Sequence, residues 1–588
     1  MNGADALVSM LKAYQVKYLF GVPGDTNVPL YSALLSVKEA PRHLMARDER
    51  CAGFMADAYA RICNKPGVVE VPSGAGAMYA LPAIAEAQGS SVPQILITSD
   101  TPLAGEGRGV ITELDCARLF QPITKASFLV KSAAKIPEVM RRAFRIATSG
   151  RPGAVHVAVP EDIQHEKISA ESVSLHAESA CERYPAYPVR PPVEQIAELH
   201  RLLQEARRPL LVVGGGVNRS MAGAALTELA QNRRIPVVTT LTGQNSIPDT
   251  HELSIGIVGD NGFHPHANRA MEEADLLIYI GCRNGSVVSI GWTFPPPSKQ
   301  RVLAQVDIDP TALGNNSDNR LAIVGDARLV LEDLRAQGNG PAASLDPRWL
   351  GTLNEWRRQF WEAVSAELKA PDDLGLRPQK VVAAINRRLK GFNLLFADPG
   401  TATPYLGRYL RLDDARSRLT IPRAYGGLGY AIPAVVGSWF ANPEVRPIGL
   451  FGDGSLGMAA GDLETIVRLN VPALLVNFNN SCYGWIKALQ RLHGHDHFLS
   501  VDFRDQDYSR LARDFGMKAW HVRTLAELEE ALDAAFAHNG PAFIDVVVES
   551  IAERYPPVFS WLRRSGTDPM RISGDTSPRA ARMESAHE

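Results

Sequence analysis

Residues 447–484 read PIGLFGDGSLGMAAGDLETIVRLNVPALLVNFNNSCYG and constrain this chain more than any other stretch. An apolar run, 448–451, ends in Gly452-Asp453-Gly454. The periodicity then predicts an amphipathic helix with Leu463, Ile466, Val467 and Leu469 on one face. A second apolar run, 473–478, ends in Asn479-Asn480. Strand, helix and strand joined by a right-handed crossover make the two strands parallel neighbours. Asp453 and Asn480 then stand at the carboxyl ends of both strands, where open α/β sheets bind ligands. A carboxylate and an amide carbonyl are hard oxygen donors that suit Mg²⁺, whose octahedron is completed by phosphate oxygens and water. The flanking glycines let backbone N–H groups approach a diphosphate. A Gly-Asp-Gly by itself is equally a tight turn carrying a surface aspartate.

Taken as a whole βαβ unit with its terminal Asn pair, the stretch resembles the fingerprint of thiamine-diphosphate-dependent carboligases and decarboxylases, and the resemblance extends over about 4–549. It implies that Asp453, Asn480 and the backbone carbonyl of Cys482 hold the metal. It also implies that Gly400, Gly452, Gly454, Ser455, Tyr483 and Gly484 border the diphosphate. The expected fold is α/β, with three doubly wound parallel-sheet domains. These are a pyrimidine-binding domain (1–166), a middle FAD-binding-like domain (193–345) and a diphosphate-binding domain (376–552), followed by a tail (553–588) that is polar and mobile beyond Pro557.

A chain of 588 residues is too long for one core. With 45% hydrophobic and 21% charged residues it reads as soluble and globular. A net charge of −2 makes no electrostatic case for nucleic acid or a membrane surface. No apolar run approaches the ~18–20 residues that span a bilayer, and the N-terminus lacks the pattern of a signal peptide. The six cysteines follow no framework spacing. A reduced, cytoplasmic protein is the expectation.

Along the first segment, Tyr18-Leu19-Phe20 predicts a strand ending in a Gly-Val-Pro-Gly turn, and residues 68–71 and 94–98 predict two more. Glu49 falls at a strand-to-helix junction, where a solvated carboxylate at a helix start is commonplace. The resemblance gives it another role: a Glu here bonds the cofactor's aminopyrimidine and starts deprotonation of the thiazolium, which needs a carboxyl held near neutral pKa by burial. Asp48 stands where many relatives carry His. Residues 167–192, with four prolines from Pro185 to Pro192, predict a linker.

In the middle segment, a strand runs into Gly214-Gly215-Gly216, a pattern that alone is weak. Thr240-Leu241, Arg283 and Asp307-Ile308 end three further apolar runs. Stretches like these bind FAD in the acetohydroxyacid synthase branch, with Arg151 and Asp326 also matching, and there the flavin takes no part in net redox. Relatives without flavin keep the same middle domain, so both readings stand. In the third segment, YGGLGYAIPAVVG (425–437) predicts a Gly-rich turn into a helix. The family's cofactor prop falls on Leu428, which is equally a core side chain.

The substrate pocket departs from that branch. Its Phe-Gln-Glu becomes Ile111-Thr112-Glu113, which puts Thr112 in a catalytic place. Its Gln-Trp becomes Ala488-Leu489, beside Trp485, and the Arg that grips the acceptor carboxylate becomes Val287. Without a guanidinium no bidentate clamp forms. The implied enzyme is a carboligase that decarboxylates a 2-keto acid such as pyruvate. It passes the two-carbon unit to a ketone, keto-sugar or other carbonyl acceptor, as in branched-sugar (yersiniose-type) synthesis. The partners are small molecules, and the assembly is a homodimer or homotetramer with interface sites. A non-ligating decarboxylase, acetolactate synthase proper and a non-catalytic paralogue are the alternatives. His493, His495 and His497 read as a solvated segment, with proton transfer or metal binding as minor options. His264 and His266 read as a loop near the flavin region.

Overall fold

The computed structural model describes residues 1–495 and 497–571. Among them are three six-stranded sheets, each parallel at every pairing. The first contains β1 (Tyr18–Gly21), β2 (Arg42–Met45), β3 (Gly67–Pro72), β4 (Gln94–Ser99), β5 (Ala126–Leu129) and β6 (Ala154–Ala158), in the order β2-β1-β3-β4-β6-β5. The second contains β7 (Pro209–Val213), β8 (Val237–Thr239), β9 (Ser254–Ile257), β10 (Leu276–Ile280), β11 (Val302–Asp307) and β12 (Leu321–Val324), in the order β12-β11-β10-β7-β8-β9. The third contains β13 (Leu394–Ala397), β14 (Arg418–Thr420), β15 (Pro447–Gly452), β16 (Leu474–Asn479), β17 (Lys518–Val522) and β18 (Ala542–Val547), in the order β14-β13-β15-β16-β18-β17. The first and third sheets therefore share one topology.

The strands form where apolar runs are continuous rather than alternating. Pro209–Val213 and Leu474–Asn479 are buried at every residue, as helices on both faces of a parallel sheet require. Strand order reverses between β1 and β3, between β7 and β10, and between β13 and β15. At such a point two carboxyl-end turns splay apart and leave a crevice. The molecule has one in each sheet.

The first and third units share a core. The helix Glu49–Cys63 lies on the helix Ala431–Ala441, and Phe54, Met55, Ile432 and Val435 belong to one fully buried cluster. Each such side chain stabilises by about 1.5–3 kcal/mol relative to exposure. The buried Tyr430 hydroxyl donates to Asp57 Oδ1 at 2.7 Å across the contact.

Two expectations are corrected. The single amphipathic helix after Asp453 is instead a helix Asp453–Ala459, a tight turn Ala460–Asp462 and a helix Leu463–Arg468. The turn aims buried Asp462 at the backbone N–H of Arg47 (3.1 Å), a contact with the first unit that no local periodicity encodes. The tail is not uniformly polar and loose either. Phe559–Arg564 is a helix whose Phe559, Trp561 and Leu562 are buried in the core shared by the second and third units. Three large apolar side chains in one turn outweigh a polar average. The tail beyond residue 571, and Asp496 in the histidine segment, lie outside the described residues. Residues 167–192 hold only two short turns, Ala170–Ser172 and Ser179–Glu182. Among the described residues no helix is long and apolar enough to cross a membrane.

Candidate active site

On one side of the third sheet's crevice, β15 and its neighbour β16 end level, with Gly452 opposite Phe478. Asp453 follows β15 and is 4% exposed. Its Oδ1 accepts from the Gly454 N–H at 2.9 Å, whereas its buried Oδ2 has no partner. Burial pushes its carboxyl up to about 7. One strand over, the Asn480 amide nitrogen is also buried without a partner, and Cys482 Sγ lies 3.5 Å from Asn480 Oδ1. A flip of the amide presents oxygen on the unpartnered side instead. Unpaired buried polar groups are costly, and an orphan carboxylate oxygen beside an orphan amide is the donor set a hard cation satisfies. Gly484 leaves room for this amide: a Cβ there would lie 2.5 Å from Asn480 Nδ2.

The same crevice is bounded by β13, and buried Asp398 at its end accepts from the N–H groups of Tyr430 (2.7 Å) and Ala431 (3.3 Å). It thereby pins the end of the Gly-rich turn carrying Leu428. Gly400 follows two residues after Asp398. Leu428 is half-buried and, among the described residues, belongs to none of the apolar clusters, so the core reading does not describe it. Its neighbours Gly427 and Gly429 face Phe54 and Met458. Ser455 is buried in the helix Asp453–Ala459, and the ring of Tyr483 covers Gly454 and meets Phe503 edge-on at 4.7 Å.

At the crevice of the first sheet, Asp48 and Glu49 separate. Asp48 caps the helix Glu49–Cys63 by accepting from the N–H groups of Arg50 and Cys51. Glu49 instead faces the turn after β3, its Oε1 3.0 Å from where a Cβ on Gly76 would stand. Burial raises its pKa, and nearby Asp48 and Glu70 raise it further. Thr112 lies on the other side of that turn, its Oγ1 2.7 Å from Ser73 Oγ. Its φ of 65° is unusual for a β-branched residue and marks a strained position. Ile111 beside it is 85% exposed. No hydrogen bond among the described residues joins Glu49 or Thr112 to Asp453 or Asn480.

The crevice of the second sheet opens into a cavity of about 550 Å³. Arg151, Gly214, Gly215, Gly216, Thr240, Leu241, Arg283, Asp307, Ile308 and Asp326 all line it. Sequence reasoning missed four more arginines on its wall, Arg61, Arg219, Arg418 and Arg423. They come from the helix Glu49–Cys63, the short helix Gly215–Arg219, β14 and the loop just after it, so no single motif marks them. Six arginines face Asp307, Asp309 and Asp326, and the excess of positive charge suits a diphosphate. Arg151 is fixed by Ser91 Oγ (2.8 Å), the Gly89 carbonyl (3.2 Å) and Asp309 (3.4 Å).

The four pocket residues taken from sequence are not brought to one cavity. Val287 is half-buried, its carbonyl accepting from Asp260 N–H at 2.8 Å, and Val288 rather than Val287 lines the large cavity. Trp485 and Leu489 lie on the helix Gly484–Leu492, where Trp485 packs on Trp561 at 4.3 Å. The C-terminal helix links these sites, because Asp260 also accepts from the Ser560 N–H and hydroxyl. The expectation for His264 and His266 is corrected: both are buried, His266 inside the helix Pro265–Glu273, packed on Phe360 and away from the arginine-lined cavity. They donate to or accept from the protein interior, His266 Nε2 lying 2.7 Å from the Ile255 carbonyl. His493, His495 and His497 are exposed and, among the described residues, form no metal-ligand cluster.

Three family models match in chain order: "Thiamine pyrophosphate enzyme, N-terminal TPP binding domain" over 1–119, the "central domain" over 196–334, and the "C-terminal TPP binding domain" over 398–546. A "Probable acetolactate synthase large subunit" of Methanocaldococcus jannaschii is 33% identical over 566 residues, covering 95% of this chain and 93% of the relative. An "Acetolactate synthase" of Arthrospira platensis is 31% identical over 568 residues, covering 95% and 96%. An "Acetolactate synthase large subunit" of Haemophilus influenzae is 30% identical over 577 residues, again covering 95% and 96%.

Proposed function

The chain belongs to the thiamine-diphosphate-dependent enzymes, in their acetolactate synthase-like branch, and on that premise we propose that it joins a two-carbon unit from pyruvate to an uncharged carbonyl acceptor. The reading is supported above all by the unpartnered Asp453 Oδ2 and Asn480 amide, both buried at the carboxyl ends of the neighbouring strands β15 and β16. They fit Mg²⁺, with the Cys482 carbonyl as third protein ligand and diphosphate oxygens completing the shell. When bound, the cofactor supplies the nucleophile and electron sink for losing CO₂ from a 2-keto acid and for forming the new C–C bond.

The protein's own residues do the rest. Glu49, its pKa raised by burial, would be the residue that bonds the aminopyrimidine and gives or takes a proton there. Thr112 Oγ1, fixed by Ser73 and strained into place, borders the same pocket. Leu428 props the cofactor from the turn that Asp398 pins. The arginine-lined cavity would hold FAD as a structural, non-redox group, its guanidinium groups supplying the positive charge a diphosphate needs. The pyrimidine-side and diphosphate-side residues of one chain are not bonded to each other, which favours a site completed across a dimer.

The acceptor reading rests on Val287, which supplies no carboxylate clamp. A keto-sugar or ketone of the kind used in branched-sugar synthesis needs no such clamp, whereas a second 2-keto acid does. The test offers pyruvate with an equimolar neutral ketone and reads the ratio of coupled ketone to acetolactate. Coupled ketone in excess supports the proposal. Efficient acetolactate formation that ignores the ketone overturns it, and free acetaldehyde alone overturns the carboligase reading. Val287→Arg is expected to move the ratio toward acetolactate by about one to two orders of magnitude, since a charged hydrogen bond contributes roughly 1.5–3 kcal/mol.

A further inference from the structure

Behind the metal pair, on the far strands of the same sheet, lies a buried polar cluster. Asp545 on β18 is wholly buried and pairs in register with Asn477 on β16 and His521 on β17. Its carboxylate accepts from Asn477 Nδ2 (2.8 Å), Asn479 Nδ2 (3.3 Å), the Tyr508 N–H (3.0 Å) and His521 Nδ1 (2.8 Å). Asp507 adds a second carboxylate 3.5 Å from His521 Nδ1. Ligand atoms of Asp507, His521 and Asp545 lie within 4.8 Å of one another, a spacing a cation tolerates. Yet Asp545 already accepts four bonds, three at Oδ2 and one at Oδ1, all from protein donors. Asp507 caps the helix Tyr508–Asp514 through Ser509. The cluster is a closed network rather than a vacant site.

Its bonds lead to the metal turn. Asn479 is wholly buried and also donates to the Gln506 carbonyl (2.9 Å). Its Oδ1 accepts from the Ser481 N–H (3.2 Å) and hydroxyl (3.4 Å). Ser481 sits between Asn480 and Cys482 with a left-handed φ of 51°, which bends the chain between those two residues. A serine has no intrinsic preference for that conformation, so the bonds from Asn479 hold it.

We propose that Asp545, itself oriented by His521, is a positioning residue that fixes Asn479 and through it the Asn480–Cys482 turn that presents the metal ligands. The inference rests on the reading that Mg²⁺-thiamine diphosphate binds at Asp453 and Asn480. Groups outside the ligand shell commonly alter metal affinity by about 10–100-fold.

The test titrates Mg²⁺ into full-length protein at saturating thiamine diphosphate, read by calorimetry, for wild type, Asp545→Ala, Asn479→Ala and the double variant. The expected result is a Kd for Mg²⁺ raised about 10–100-fold in each single variant, with no further rise in the double variant because both act through one turn. Excess Mg²⁺ should restore kcat to within about threefold, and the melting temperature of the cofactor-free protein should not track the loss of affinity. Should Asp545→Ala fail to fold, His521→Asn, at a part-exposed side chain, carries the same expectation in milder form. Unchanged Mg²⁺ affinity in the folded variants, or losses that simply add, overturns the positioning role. Wild-type protein that takes up no Mg²⁺ with thiamine diphosphate overturns the functional reading itself, and this inference with it.

Discussion

Asp48 and Glu49 are adjacent carboxylates, and their surroundings give them different chemistry. Asp48 accepts two backbone N–H groups at the helix start, whereas Glu49 is half-buried with no cation to lower its pKa. Asp398 shows the same physics without a proton-transfer role. Burial pushes its carboxyl up to about 7, even though the N–H groups of Tyr430, Ala431 and Gly429 favour the charged form. Between the ordinary carboxylate range and about pH 7, the folded protein keeps a proton that the unfolded chain has released. Stability from this residue therefore falls as pH rises through that window and stays low above it. Asp398→Asn removes the titration. The stability of wild type relative to the variant is expected to fall between pH 5 and pH 8, by at most about 3 kcal/mol at ~1.4 kcal/mol per unit. Thermal midpoints of cofactor-free protein at both pH values check this, and a difference independent of pH would contradict it.

Turns at strand ends carry the function at the scale of elements. The turns after β7 and β10 approach so closely that a Cβ on Gly214 would lie 2.3 Å from the Gly281 carbonyl oxygen and 2.7 Å from Cys282 Cα. These are backbone atoms, so no side chain can swing away. Gly214 and Gly216, whose Cβ would lie 2.6 Å from Gly281 Cα, are thus required by the contact between two turns as much as by any ligand. Gly214→Ala is expected to cost about 1–3 kcal/mol through overpacking and to splay the mouth of the arginine-lined cavity. If FAD fills that cavity, wild-type protein is yellow, and the variant binds less flavin per chain while still binding Mg²⁺-thiamine diphosphate. Absorbance of the purified proteins measures the ratio. Colourless wild-type protein with full activity and no flavin by mass spectrometry removes FAD from the account.

Across the whole molecule, the duplicated topology of the first and third sheets sets one crevice near Glu49 and Thr112 and another at Asp453 and Asn480. On the proposed reading a complete site needs residues of both kinds, and cyclic symmetry in a homodimer would supply two equivalent ones. Glu49→Gln and Asp453→Ala are each expected to lose nearly all activity. Mixed after dissociation and reassociation, they should regain up to about half of the wild-type sites in the heterodimer, because one of its two sites carries both intact residues. Heterodimers that form without recovering activity would place both residues of each site on one chain.

Much of this was legible in the sequence, and the reason is local. Parallel strands buried on both faces must be continuous apolar runs, and their carboxyl-end turns must carry glycines and short polar residues. Those two signals located β15, β16, Asp453 and Asn480, and the family resemblance added the ten residues that line the middle cavity. What sequence could not supply depends on contacts between distant segments. Arg61, Arg219, Arg418 and Arg423 converge on one cavity from separate elements. The helix after Asp453 breaks because Asp462 is needed by Arg47, over four hundred positions away in the chain. Asp545 gains its meaning from Asn479 and His521 on flanking strands, and Trp561 leaves the polar tail because Trp485 offers it a face. Periodicity and turn chemistry are properties of neighbouring residues and survive in one dimension. Convergent charge, shared burial and hydrogen bonds between strands exist only once the chain has closed on itself.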